Sequence, residues 1–207
     1  MKDYNKNIKQ AIQDIKNGKM VIVVDDEDRE NEGDFIIAAD VVKPEDINFM
    51  MKEARGLICV SITSDRAKEL KLTPMVSSST AKHETNFTVS VDAIKNATTG
   101  ISANDRYQTV RVILDKDSNP EDLGRPGHMF PLIAKEGGVL QRAGHTEAAM
   151  DLAKLAGFSP TALLVEIVDD DGTMARLPRL KEISKKYNMS LISISDLIQY
   201  RREHDKI

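Results

Sequence analysis

Tryptophan is absent from the 207 residues, and four tyrosines and five phenylalanines are the only aromatics. Platforms that stack single-stranded bases need more than that. A surplus of one charge is lacking too: 29 Lys and Arg face 33 Asp and Glu, a formal net charge of −4, which argues against a sequence-independent grip on phosphate backbones. The lone cysteine, Cys59, rules out an internal disulfide and suits a reducing cytoplasm. No apolar run exceeds five residues, Met20–Val24 and Phe35–Ala39 being the longest, against the roughly 20 that cross a bilayer. The first residues carry charge and no apolar export segment. The expectation is a cytoplasmic protein with neither membrane nor nucleic acid as a partner.

What is present is enough apolar residue, 41%, to fill the core of one compact domain spanning 1–207. β-Branched apolar runs at Met20–Val24, Phe35–Ala39, Leu57–Ile62, Phe87–Val91, Ala162–Val168 and Leu191–Ile194 read as strands, with weaker candidates at Phe130–Ala134 and Val139–Leu140. Helix starts fall between them, at Pro44, at Ser102 with Asp105 three residues on, at Pro178 and at Ser195. The clearest helix begins near Thr146 and stops at Gly157, with Ala148, Ala149, Leu152, Ala153, Leu155 and Ala156 on its apolar face and Glu147, Asp151 and Lys154 opposite. This pattern predicts an α+β fold, a three-layer α-β-α sandwich around a mixed sheet.

Chemistry concentrates in a few segments. Asp25–Asp34 puts seven carboxylates and Arg29 into ten residues between two apolar strands. A solvated hairpin loop looks like this, and so does a site for a hard divalent cation beside an anionic ligand. Arg142-Ala143-Gly144-His145-Thr146 leads into the strong helix. Free backbone N–H groups, a glycine, a hydroxyl and a guanidinium suit a phosphate, although an ordinary N-cap at Thr146 with an exposed His145 fits the same residues. His128 follows the turn Arg125-Pro126-Gly127, either as a half-buried structural histidine or as a functional one. Glu166 interrupts an otherwise apolar strand, either at a solvent edge or paired in a site, where burial favours acid–base use. Cys59 reads most simply as a small core residue.

Together these segments resemble the 3,4-dihydroxy-2-butanone 4-phosphate synthase family. The resemblance runs through Asp25–Asp34, Arg55–Val60, Phe87–Asp92, Thr98–Arg106, Arg125–Leu132, Gly137–Thr146 and Asp170–Arg176, in order along nearly the whole chain. It departs at Ser77–His83. The resemblance implies a lyase that converts D-ribulose 5-phosphate to L-3,4-dihydroxybutan-2-one 4-phosphate and formate, with magnesium or manganese, two ions per site, and a homodimer with sites at the subunit interface. By the same resemblance Glu30 and His145 are metal ligands. Arg29, Glu30, Asp34 and Glu166 contact substrate, and Arg142, Ala143, Gly144, His145 and Thr146 hold its phosphate. His128, Glu166 and Asp34 serve catalysis, and Asp25 and Cys59 lie near the substrate. No fused GTP cyclohydrolase II domain is expected. A magnesium-dependent sugar-phosphate isomerase or aldolase, and a non-catalytic sugar-phosphate binding module, are the rival readings.

Overall fold

A computed structural model describes residues 4–205. The chain runs α1 (Tyr4–Lys16), β1 (Val21–Val24), β2 (Gly33–Ala38), α2 (Pro44–Phe49), β3 (Cys59–Ile62), α3 (Ser64–Glu69), β4 (Val91–Ala93), α4 (Ala103–Leu114), β5 (Leu123–Ile133), α5 (His145–Leu155), β6 (Ala162–Glu166), α6 (Leu177–Tyr187), β7 (Leu191–Ser193) and α7 (Ile194–His204). The strands form one seven-stranded sheet in the order β4-β5-β3-β6-β2-β1-β7. The pairs β1–β7 and β3–β5 are parallel and the others antiparallel, so the sheet is mixed.

Successive strand residues point to opposite faces, and here both faces are covered. Ile22, Phe35, Ile37, Val60, Leu163 and Val165 share one core with residues of α2, α3, α4 and α6. Val21, Val23, Ile36, Ala38, Cys59 and Leu164 share the other with α1, α5 and α7. That is the expected three-layer sandwich. Among the described residues no helix is long and apolar enough to cross a membrane.

Several local expectations need correction. Val139–Leu140 lies in a 3-10 turn, Gly138–Leu140, and not in a strand. Of Phe87–Val91 only Val91 enters β4, while Phe87 and Thr88 make isolated bridges. The last helix is capped by Ser193, whose hydroxyl accepts from Asp196 N–H, and not by Ser195. The N-cap of α5 is Gly144, with no side-chain cap, so Thr146 lies inside the first turn. Glu147 and Asp151 are buried, contrary to the polar face drawn for them, because each pairs with an arginine: Glu147 with Arg142, Asp151 with Arg201. A pattern of residue types along one helix does not reveal that a partner waits on a neighbouring element.

Candidate active site

The acidic segment joins β1 to β2, and one of its own carboxylates folds it. Asp25 Oδ1 accepts from Glu32 N–H at 2.8 Å and Oδ2 from Glu30 N–H at 3.0 Å. Arg29 Nη1 lies between carboxylates, 2.8 Å from Asp25 Oδ2 and 2.7 Å from Glu30 Oε2. From outside the loop, Arg176 Nη1 donates to the carbonyls of Glu30 and Asn31. Asp26, Glu27 and Asp28 remain exposed at the tip. The solvated-loop reading therefore holds for the tip, and a built arrangement holds around Asp25, Arg29 and Glu30.

Asp34 belongs to β2, where it pairs in register with Glu166 of β6. Both alternate in phase with residues of the α5-side core, Ile36 on β2 and Leu164 on β6, so the two carboxylates share that face. Glu166 Oε2 also accepts Leu57 N–H at 2.9 Å. A Cβ on Gly56 would overlap the Glu166 carbonyl, so only glycine lets the chain before β3 come this close.

The first residue of α5 completes the cluster. His145 Nε2 lies 3.2 Å from the Val23 carbonyl, which can only accept, so Nε2 carries a proton there. Nδ1 then faces Glu30 Oε2 at 3.6 Å, and Asp34 Oδ1 lies 3.8 Å from Nε2. A cavity of about 220 Å³ opens over this group, lined by Arg29, Glu30, Asp34, Cys59, His145 and Glu166, with Arg142 and Thr146 at the α5 end.

The charges are strongly coupled. Hydrogen bonding to His145 and the Arg29 guanidinium outweigh burial and hold Glu30 down at about 2. Burial pushes Asp34 up to about 7 against the opposing attraction of His145, with Glu166 and Glu30 adding to the rise. Burial disfavours a charged His145, but Asp34, Glu30 and Asp25 prevail and raise it to about 9. Burial also raises the Cys59 thiol well above its ordinary range, beside the charges of Glu166 and Asp34, so it stays a neutral thiol.

Ligand atoms of Asp25, Glu30 and His145 all lie within 4.8 Å of one another, and buried Asp34 Oδ1 has no hydrogen-bond partner among the described residues. The Asp25 oxygens are already engaged with backbone N–H groups and Arg29. Glu30 and Nδ1 of His145, with the orphaned Asp34 oxygen nearby, thus fit a small divalent cation, and the Val23 carbonyl orients the imidazole from behind.

The structure brings Asp25, Arg29, Glu30, Asp34, Cys59, His145, Thr146, Arg142 and Glu166 to one place. Ala143 and Gly144 stand just outside the lining. Arg142 lines the cavity with its guanidinium engaged by Glu147 Oε2 at 2.5 Å, the His83 carbonyl and Thr85 Oγ1. His128 is on β5, outside the lining, with its side chain 45% exposed and Nδ1 2.7 Å from Asp92 Oδ2. Sequence reasoning missed Glu32, Thr85 and Phe87 in the lining, the Arg176 clamp, and Glu147 behind Arg142. Glu32, Phe87 and Arg176 stood inside motifs already singled out, whereas Thr85 reaches the cavity only through tertiary packing.

The sequence profile of 3,4-dihydroxy-2-butanone 4-phosphate synthase matches residues 9–200. The riboflavin biosynthesis protein RibBA of Cytophaga hutchinsonii is 62% identical over 202 residues, 97% of this chain and 50% of that protein. RibBA of Chlorobium phaeovibrioides is 58% identical over 201 residues, 97% of this chain and 49% of its own length. The chain thus spans about half the length of the curated relatives it matches. A crystal structure of 3,4-dihydroxy-2-butanone 4-phosphate synthase in complex with two magnesium ions superposes with a TM-score of 0.92 at 40% identity, covering 96% of this chain and 97% of that one. RibBX, a two-domain 3,4-dihydroxy-2-butanone 4-phosphate synthase from A. baumannii, gives 0.92 at 46% identity over 96% of this chain and 59% of its own. A profile match over 192 of the 207 residues, with these identities, places the chain: it belongs to the 3,4-dihydroxy-2-butanone 4-phosphate synthase family.

Proposed function

We propose that this chain is a lyase that converts D-ribulose 5-phosphate to L-3,4-dihydroxybutan-2-one 4-phosphate and formate, supplying the four-carbon unit of riboflavin, as a cytoplasmic homodimer whose residues 1–207 form one synthase domain. The observation that carries this reading is the meeting, in one cavity, of the Asp34–Glu166 pair, the Glu30–His145 pair and the uncapped start of α5. One end suits a phosphate and the other a polyhydroxy carbon chain.

The substrate phosphate sits at the α5 N-terminus, where backbone N–H groups and Thr146 donate and Arg142 adds charge. The carbonyl end lies toward Glu30 and His145. Magnesium held there, two ions in this reading and replaceable by manganese, supplies the Lewis acidity that makes the adjacent C–H acidic. Asp34, raised to about 7, exchanges a proton readily near neutral pH and hydrogen-bonds the substrate hydroxyls. Glu166, oriented by Leu57 N–H, lies across the strand pair from it and moves protons in the later steps. Enolisation, loss of a hydroxyl as water, a 1,2-shift of the carbon skeleton, addition of water at the C4 carbonyl so formed and cleavage that releases C4 as formate follow in turn, so the water lost early is regained. The exposed His128 acts in the cavity of a second copy, which explains a family-motif histidine outside its own chain's cavity.

Carbon NMR on the purified protein with D-ribulose 5-phosphate labelled at C4 tests the reading. Labelled formate is expected with magnesium and not with excess EDTA. A ketose recovered unchanged or merely isomerised by folded, magnesium-loaded protein would overturn it.

A further inference from the structure

Three sequence motifs contribute little or nothing to the cavity: the end of Phe87–Asp92, Thr98–Arg106 and the start of Arg125–Leu132. The fold brings them to a single point, the side chain of His128. Asp92, in β4, takes the backbone N–H of His128 on Oδ1 at 2.8 Å and the ring Nδ1 on Oδ2 at 2.7 Å. A carboxylate only accepts, so Nδ1 is the protonated nitrogen. Nε2 has no hydrogen-bond partner among the described residues, and the side chain is 45% exposed.

The seat of Asp92 is itself built. Gly100 has φ +89°, and a Cβ there would overlap the Asp92 carboxylate. The turn that carries Gly100 is closed by Asp105, which accepts from Thr98 N–H at 3.1 Å, Thr98 Oγ1 at 2.8 Å and Gly100 N–H at 3.1 Å. From α4, Arg106 Nη1 donates to the His128 carbonyl at 2.7 Å, and Ser90 Oγ accepts Gly127 N–H at 3.1 Å. The backbone on both sides of the ring is thereby fixed, and one carboxylate sets both its direction and its tautomer.

We propose that Asp92 is the positioning residue of His128, holding the imidazole as its Nδ1–H tautomer so that Nε2 stands free to accept or deliver a proton. This rests on the reading of His128 as a group that acts on substrate. A reversed tautomer would present an N–H where a lone pair is needed, and the fault would appear in turnover, not in substrate binding.

The test is made on magnesium-loaded protein labelled with 15N at histidine. Long-range 15N–1H spectra are expected to show His128 with Nδ1 protonated, and Asp92→Asn to shift it toward the Nε2–H form. The same variant is expected to lose about 100-fold in kcat for formate release while KM moves less than about twofold, and Asp92→Glu to recover the tautomer and part of the rate. A wild-type His128 protonated at Nε2, or an Asp92→Asn protein with unchanged tautomer and rate, would overturn the proposal. His128→Gln separates the two readings. If it is inactive while Asp92→Asn is normal, only the positioning role fails. If it turns over like wild type, His128 has no part in the reaction and the proposal falls with that reading. The NMR result does not depend on which reaction the protein performs.

Discussion

Arg142 and Glu147 are joined by a 2.5 Å ion pair in which the carboxylate is buried, its other oxygen accepting Lys135 N–H at 2.9 Å. The remaining guanidinium nitrogens reach the His83 carbonyl and Thr85 Oγ1. The arginine at the α5 end of the cavity therefore also pins the 83–85 segment to the start of α5. Arg142→Ala should show two effects. It should raise KM for the sugar phosphate roughly 10- to 100-fold, and it should lower stability by about 3–5 kcal/mol because Glu147 is left buried without its partner. Inorganic phosphate competition and urea denaturation read the two separately. Glu147→Gln, which keeps an acceptor, should be the milder change in stability.

Glu30 has no structural duty comparable to that of Asp25. Glu30→Gln should lower the melting temperature in EDTA by what its pairing with Arg29 and His145 contributes but leave the loop folded, while turnover in magnesium drops by about 1000-fold or more. Manganese titration followed by electron paramagnetic resonance should show the matching loss of affinity. Near-normal turnover would remove Glu30 from the proposed metal site. Asp25→Ala should differ in kind, since it frees Glu30 N–H and Glu32 N–H, takes away one of the two carboxylates on Arg29 and unmakes the loop.

The pH dependence has a definite sign. His145 is raised from 6.5 to about 9, so its contribution to the metal-free protein is complete below pH 6.5 and is lost as pH rises through 9. Asp34 is raised from 3.8 to about 7, so its ionisation costs stability progressively across that interval. Glu30 is lowered from 4.5 to about 2, and its contribution, present above 4.5, is lost only as pH falls through 2. Melting temperatures in EDTA should fall steadily between pH 6.5 and 9.5, and His145→Asn should flatten the upper part of that slope.

Metal binding should release a proton at neutral pH, because a ligating Nδ1 must first give up the one that the neighbouring carboxylates favour. Calorimetric titration with magnesium in buffers of different ionisation enthalpy measures this directly. His145→Asn should shrink the buffer dependence to the share released by Asp34.

Interface sharing has a simple test in mixed dimers. His128→Gln and Glu30→Gln homodimers should each be inactive, and co-refolding equal amounts should restore about a quarter of wild-type activity, one competent site in half of the dimers. No recovery in a verified heterodimer would place both residues in the same chain's site.

Much of the site was legible because local sequence sets it. Asp25, Arg29 and Glu30 fold around one another within six residues, and Gly144, His145 and Thr146 start a helix whose apolar period is plain. The alternation along β2 and β6 put Asp34 and Glu166 on a common face as soon as register was known, but register is a long-range property and no residue type announces it. The burial of Asp151 was illegible for the same reason, whereas Glu147 pairs locally and its residue type alone fits a solvated face equally well. Their arginines come from residues 142 and 201, and the second lies on another helix. Thr85 belongs to a stretch with little regular structure, and Phe87, read as the start of a strand, makes only an isolated bridge, so neither pointed to the cavity. Asp92 could be read as part of a motif, while its grip on His128 requires the β4–β5 pairing.

Nine of the eleven residues of α5 are buried, from His145 through Ala153. The imidazole therefore stands on an element that opens only with the whole domain, whereas Glu30 stands on a hairpin whose tip is in water. Local opening of that hairpin is the low-energy event of the pair. Exchange of a cation held between Glu30 and His145 would accordingly follow the lifetime of the hairpin, and slow amide exchange along α5 would persist through many rounds of loading and release.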